Sequence, residues 1–124
     1  MIKVEHKQDV MVRLKDGEEL IASLATLSLD SAVLLNGVGM LRDLEIGYWN
    51  GSSYDVQRID EPGELLSLQG NFARKSDELV IHCHATIAKH GAAAFGGHVL
   101  KATVHNTAEI YISKLSGIVL ERKM

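Results

Sequence analysis

The chain has 124 residues, the size of one ordinary domain, so we expect residues 1–124 to form a single domain. Hydrophobic residues make up 46% and charged residues 23%, which excludes a disordered or collagen-like chain. The net charge of −3 gives no excess of basic residues for a sequence-independent grip on nucleic-acid phosphates, and no apolar run approaches the roughly 20 residues of a membrane span.

The N-terminal segment and the cysteine content indicate the compartment. The first ten residues, MIKVEHKQDV, lack the apolar stretch of a secretory signal. Cys83 is the single cysteine, which excludes an internal disulfide framework and a CxxC zinc ribbon. We therefore expect a cytoplasmic protein that does not enter a membrane.

The first predicted elements are a strand and a helix. From Val10 to Lys15, apolar residues stand at every second position, which predicts a strand with one solvent-facing side. Asp16 stands three residues before Glu19, in the spacing of a capping box with Asp in the Ser/Thr position. Apolar residues at helical spacing follow, so we predict a helix from Gly17 to Leu29.

Short apolar runs punctuated by glycine occupy the rest of the chain. Gly37 and Gly39 predict a tight bend, and Asn50-Gly51 predicts a hairpin turn. The predicted strands of this part are Ser31–Met40, Leu44–Asn50, Ser53–Asp60, Glu64–Phe72, Glu78–Ala88 and His98–Ser113. Because strands and helices do not alternate, we expect an α+β fold with a largely antiparallel sheet and one or two helices.

Two histidines share one face of the strand predicted over Glu78–Ala88. Alternate residues of a strand point the same way, so His82 and His84 stand together, and Cys83 faces the apolar side with no role as a ligand. Two neutral imidazoles at this spacing suit one metal ion, zinc above all, but also iron, nickel or copper. The alternative is a pair of surface histidines on a polar face of a sheet.

A third histidine, His98, follows two glycines, Gly96 and Gly97, which allow a close backbone approach or a positive φ. A histidine that enters from a neighbouring strand would complete a three-histidine set. Three protein ligands leave a fourth position for water or substrate, as in catalytic zinc sites. Glu64 and Glu109 are then the candidate catalytic residues, since a carboxylate near such a site could act as a general base. The alternative for both is an ordinary charge at a strand edge.

Motifs along nearly the whole chain, from about Val10 to Ile112, resemble those of the PPC domain, the plants and prokaryotes conserved domain. In order, they are Gly37-Val-Gly-Met, Gly63-Glu-Leu-Leu-Ser-Leu-Gln-Gly70, His82-x-His84, Gly96-Gly97-His98 and Ala108-Glu109. The resemblance implies a sandwich-like α/β fold, with about seven largely antiparallel strands flanked by a few helices, and a homotrimer. It also implies that His82, His84 and His98 bind a metal ion, with zinc as the leading candidate.

The same resemblance implies a DNA-binding-type protein. The domain is attached to AT-hook proteins of plant nuclei, and stand-alone prokaryotic members are commonly called DNA-binding proteins by analogy with them. The Arg-Gly-Arg-Pro core of the AT-hook, which reads the minor groove of A·T-rich DNA, is absent from this sequence. DNA as a partner therefore follows from family analogy alone. Two alternatives stay open: a metal-dependent hydrolase, and a protein that binds a small ligand at the metal and has no DNA role.

Overall fold

The computed structural model describes residues 1–123 and consists mostly of β-strands. The strands are β1 (Ile2–His6), β2 (Asp9–Lys15), β3 (Ala32–Trp49), β4 (Tyr54–Ile59), β5 (Gly63–Lys75), β6 (Glu78–Ala88) and β7 (Ala94–Lys114), and the helix is α1 (Leu20–Ala25). All seven strands belong to one antiparallel sheet, which confirms the sheet of about seven largely antiparallel strands that the resemblance to the PPC domain implies. The expectation of a few flanking helices is wrong, because α1 is the only helix within residues 1–123.

Four of the strands form a closed ring. β7 pairs with β6 and with β3, and β5 joins β6 to β3. The other strands extend the sheet: β2 pairs with the second half of β7, β1 with β2, and β4 with the end of β3. Because β7 is 21 residues long, it contacts three strands and brings distant parts of the chain together.

The helix α1 is shorter than the helix predicted over Gly17–Leu29. Gly17 has a φ of +91°, and its N–H donates to the carbonyl oxygen of Val104 on β7 at 2.9 Å. The backbone at this point therefore pairs with the sheet instead of entering a helix. At the other end, Ser28 has a φ of +55°, in the left-handed region that ends a right-handed helix.

Asp16 does not cap α1, contrary to the capping-box prediction. Glu19 is the N-cap instead, and its side chain accepts a hydrogen bond from the N–H of Ala22. The Asp16 carboxylate accepts hydrogen bonds from the N–H of Asn106 and from the Arg42 side chain, both at 2.7 Å. These two contacts hold the pKa of Asp16 below its ordinary value.

One long strand, β3, replaces the two strands predicted over Ser31–Met40 and Leu44–Asn50. The pairing of β3 with β7 shifts register at several points, and Gly39 and Asp43 lie at two of them. Both residues have a positive φ, +140° and +49° respectively. The predicted bend is therefore a set of β-bulges, at which the strand bends without leaving the sheet.

The hairpin predicted at Asn50-Gly51 is confirmed. Between β3 and β4, the N–H of Asn50 donates to the carbonyl oxygen of Ser53 at 3.0 Å, and Gly51 has a φ of +105°. By contrast, β1 has no counterpart among the predicted strands. All five of its residues are exposed, and it pairs only with β2.

The hydrophobic core joins the ring strands to α1. Phe72 of β5 is its largest fully buried side chain, and almost all the others are aliphatic. The helix packs against β6 and β7 and buries Leu20 and Leu24. No helix within residues 1–123 is long and apolar enough to cross a membrane.

Candidate metal centre

The strand β6 presents histidines on one side and core residues on the other, as predicted. Cys83 and Ala85 are buried, whereas His82 is half-buried and His84 is exposed. Burial raises the pKa of the Cys83 thiol to about 12, and the negative charge of Glu19 is a smaller cause. Cys83 is thus a protonated thiol of the core, outside the histidine cluster.

Strand pairing brings His98 of β7 against the two histidines of β6. His84 and His98 are register partners, and the ring centroid of His82 lies 4.7 Å from that of His98. The Nε2 atoms of His82 and His84 are 3.2 Å apart. One nitrogen of each ring lies within 4.8 Å of the other two, and no second cluster of this kind occurs within residues 1–123. The three side chains could therefore hold a metal ion.

Gly96 and Gly97 let β7 approach its neighbours closely, which is one of the two roles predicted for them. A Cβ at Gly96 would strike the carbonyl oxygen of Ala85 on β6. A Cβ at Gly97 would lie 3.2 Å from the carbonyl oxygen of Gly47 on β3. Neither glycine has a positive φ, so close contact between backbones, rather than a turn, places His98 beside β6.

Aromatic side chains of the β3–β4 hairpin form a wall beside His98. The Tyr54 ring stacks on the His98 ring at 4.7 Å with an interplanar angle of 25°, and Trp49 meets Tyr54 edge-on at 5.3 Å. Gly47 leaves room for Tyr54, since a Cβ there would lie 2.8 Å from the ring. Together with Tyr48, these aromatic residues and the three histidines line an open cleft of about 350 Å³.

Arg122, in the segment after β7, contacts the other side of His82. Its Nη2 donates to Nδ1 of His82 and to Oδ1 of Asn71, both at 2.9 Å. The segment is held to β5, because the N–H of Arg122 donates to the carbonyl oxygen of Arg74 at 2.7 Å. Sequence reasoning missed Arg122, whose one local signal is the basic pair that it forms with Lys123.

The surroundings favour the neutral form of the half-buried histidines. Burial is the main cause that lowers the pKa of His82, followed by the positive charge of Arg122 and by His84. Burial also lowers the pKa of His98, with further contributions from the other two histidines and from Arg122. At neutral pH, both rings are therefore in the neutral form that binding to a metal ion requires.

The two candidate carboxylates lie outside the histidine cluster. Glu64 is exposed on β5, where its register partner on β6 is Ala88. Glu109 is half-buried on β7, opposite Arg13 of β2. Within one chain, neither carboxylate lines the clefts at the histidines.

A family model covers most of the chain. Residues 1–116 match the model of the Plants and Prokaryotes Conserved (PCC) domain. No curated protein sequence matches the chain.

Solved structures share the fold over nearly its whole length. A plant- and prokaryote-conserved (PPC) protein from Pyrococcus horikoshii is 29% identical, with a TM-score of 0.86 over 99% of this chain and 88% of that one. A metal-containing protein from Archaeoglobus fulgidus is 30% identical, with a TM-score of 0.82 over 95% and 86%. A candidate DNA-binding protein from Ralstonia eutropha is 20% identical, with a TM-score of 0.87 over 98% and 87%, and at that identity the likeness concerns the fold alone.

Proposed function

Because the chain belongs to the Plants and Prokaryotes Conserved domain family, we propose that it is a metal-binding member in which His82, His84 and His98 hold one divalent transition metal ion, with zinc as the first candidate. The observation that carries the proposal is the convergence of one ring nitrogen from each histidine, all within 4.8 Å of one another. The relative from Archaeoglobus fulgidus, which is a metal-containing protein, supports it.

The donor set fits zinc. Bonds from zinc to histidine nitrogen are about 2.0–2.1 Å long, so two nitrogens on one tetrahedral ion lie roughly 3.4 Å apart. The separation of 3.2 Å between the Nε2 atoms of His82 and His84 is close to that value. Nδ1 of His98 is buried and has no hydrogen-bond partner among residues 1–123, and such an unsatisfied nitrogen indicates a site built for a further partner.

The aromatic wall indicates a small-molecule ligand. A metal ion held by three histidines supplies a Lewis acid with a coordination position left over. In this chain, the cleft at the three histidines is lined by Tyr54, by Trp49, which is 55% exposed, and by Tyr48, which is 74% exposed. The Trp49 and Tyr54 rings would offer a planar or apolar ligand a surface beside the histidines, while the stacked Tyr54 ring holds His98 in place.

A homotrimer is the assembly that we propose. Val4, Met11 and Leu35 are exposed, and they line one shallow groove together with Tyr111. Exposed apolar side chains that lie together are typical of surfaces that another chain covers. The number of chains comes from the resemblance to the PPC domain.

A metal-dependent hydrolase is the alternative function of the same site. Such an enzyme needs a general base, for which Glu64 and Glu109 are the candidates. Because both lie outside the cluster of their own chain, the trimer would have to bring one of them to the histidines of a neighbouring chain. Loss of hydrolysis in Glu64→Gln or Glu109→Gln, with metal content unchanged, would support this alternative.

A DNA-binding role is a second candidate, which follows by analogy from the resemblance to the PPC domain. The net charge of −3 opposes it, because DNA binding without sequence readout depends on basic residues that face the phosphates. Titration of a labelled duplex at low and high salt separates the outcomes. Affinity that falls steeply with salt would support a DNA role, and no binding at low salt would exclude it.

The metal content of protein purified without an affinity tag tests the proposal. We expect about one zinc or similar ion per chain, and none in a triple variant with His82→Ala, His84→Ala and His98→Ala. His90→Ala, which changes an exposed histidine outside the cluster, is the matched control and should retain the ion. Absence of the ion from the wild-type protein, persisting after incubation with zinc at neutral pH, would refute the proposal.

A further inference from the structure

Arg122 contacts a proposed metal ligand, and no acidic side chain within residues 1–123 pairs with it. Its Nη2 lies 2.9 Å from Nδ1 of His82. Its Nε is buried and has no hydrogen-bond partner in that part of the chain. Burying part of a guanidinium whose donors lack partners lowers the stability of the fold, and an anion bound to those donors would offset this loss.

The contact with Arg122 determines which nitrogen of His82 carries the proton. A guanidinium can only donate, so Nδ1 of His82 accepts, and the proton of the neutral ring is on Nε2. Nε2 is the atom that faces His84, at 3.2 Å. A metal ion on Nε2 would require the proton to be on Nδ1 instead, where it would meet a donor of Arg122. The bond between Arg122 and His82 and a metal ion on Nε2 therefore exclude each other.

The donor set would leave the positive charge of a bound ion uncompensated, with Arg122 on the opposite edge of the His82 ring. Three neutral imidazoles add no negative charge to a divalent ion, and the cluster found within residues 1–123 contains no Asp or Glu. Arg122 adds a positive charge that deprotonation cannot remove. An oxyanion between the ion and the guanidinium would compensate both charges, since carboxylate and phosphate oxygens match the forked donors of arginine.

We propose that Arg122 is the anion-binding residue of this site: with a metal ion held by His82, the guanidinium would give up its bond to Nδ1 and pair instead with an oxyanion, either a carboxylate or a phosphate. This inference rests on the proposed metal site. Asn71 is the register partner of His82, and its Oδ1, which now accepts from Arg122, becomes available to accept the proton on Nδ1 of His82. Metal and oxyanion therefore bind with positive cooperativity.

Cobalt(II) is a suitable probe, because its visible spectrum changes when its ligands change. The cobalt-loaded protein is titrated separately with inorganic phosphate, with acetate, and with azide, an anion that binds metal ions without needing a forked donor. Arg122→Lys keeps the positive charge and removes the fork. Lys123→Gln, at the exposed neighbouring position, is the control for a general change of charge in this segment.

We expect phosphate or acetate to bind at least about tenfold more weakly to Arg122→Lys than to the wild-type protein, with azide affinity unchanged. Lys123→Gln should behave as the wild-type protein does, and the more tightly bound oxyanion identifies the ligand as a phosphate or a carboxylate. Equal oxyanion affinity of wild type and Arg122→Lys, a parallel loss for azide, or no spectral change with either oxyanion would overturn the inference and leave the metal site intact. Failure of the wild-type protein to bind cobalt or zinc would overturn the metal site and the inference together.

Discussion

His84 of β6 and His98 of β7 face each other as register partners, with ring centroids 5.6 Å apart. The pairing of the two strands fixes the separation of these candidate ligands through backbone hydrogen bonds. An ion that binds there meets side chains that already lie close together, and it links two strands of the ring. Metal binding and fold stability should therefore be coupled.

Zinc should stabilise the fold through these histidines. At a zinc concentration about 1,000-fold above Kd, the free energy of unfolding should rise by about 4 kcal/mol, because the three histidines come together only in the folded chain. His98→Ala should lose this increment, whereas His90→Ala should keep it. Denaturant unfolding with and without zinc measures the increment, and an equal gain in both variants would contradict the proposed ligand set.

An added methyl group at Gly96 should destabilise the protein. Gly96→Ala places the group against the carbonyl oxygen of Ala85, so we expect the free energy of unfolding to fall by about 1–3 kcal/mol. Gly97→Ala is the matched comparison and should lower the free energy of unfolding less, since its added Cβ would lie 3.2 Å from its nearest neighbour, the carbonyl oxygen of Gly47. Urea unfolding of both variants tests the order, and a larger loss for Gly97→Ala would contradict the packing between β6 and β7.

Metal-free protein should lose stability as the pH falls below the ordinary histidine pKa of 6.5. Burial lowers the pKa of His82 and His98 in the folded chain, so the unfolded chain binds protons more readily in this range. The stability that the two groups contribute is complete above 6.5 and declines as the pH falls through the lowered values. Urea unfolding across this pH range should show that the free energy of unfolding falls less steeply with decreasing pH in the double variant with His82→Gln and His98→Gln. An equally steep fall in the wild type and the variant would show that these two histidines do not cause it.

Leu35→Lys should dissociate the proposed trimer. Leu35 lies in the groove with Val4 and Met11, so a charge there would be buried without a partner wherever a second chain covers the groove. Val119→Lys, at a position that is 74% exposed and outside the groove, is the control. Sedimentation velocity should give the mass of three chains for the wild type and the control, and of one chain for Leu35→Lys. A trimeric Leu35→Lys would place the interface elsewhere, and a monomeric wild type would refute the trimer.

The strand β6 could be predicted from sequence because its two faces differ along its whole length. Its bounds, Glu78–Ala88, are those predicted, and the side on which His82 and His84 stand follows from the alternation of a strand. The sequence also indicates, through Gly96 and Gly97, that the backbone before His98 lies close to another strand. Which strand that is depends on pairing across the sheet, which local pattern does not encode.

Arg122 and the length of α1 depend on contacts between distant parts of the chain. Arg122 lies 40 residues from His82 and reaches it only because the last segment runs beside β5. The apolar spacing after Gly17 favours a longer helix, but the hydrogen bond from Gly17 to Val104 keeps the first residues in the sheet. In both places, tertiary pairing determines what local propensity does not.

The closed ring of β3, β5, β6 and β7 would link binding at the proposed metal site to a late step of folding. The ring closes when β7 pairs with both β6 and β3, and the same event brings His98 to His84. Such pairings between distant segments form slowly, because a long loop must be ordered before the contacts compensate its entropy. A chain whose β7 is still unpaired offers an incoming ion two of the three proposed ligands. The time at which refolding molecules begin to retain zinc tightly would therefore report when β7 pairs with β6 and β3 and the ring closes.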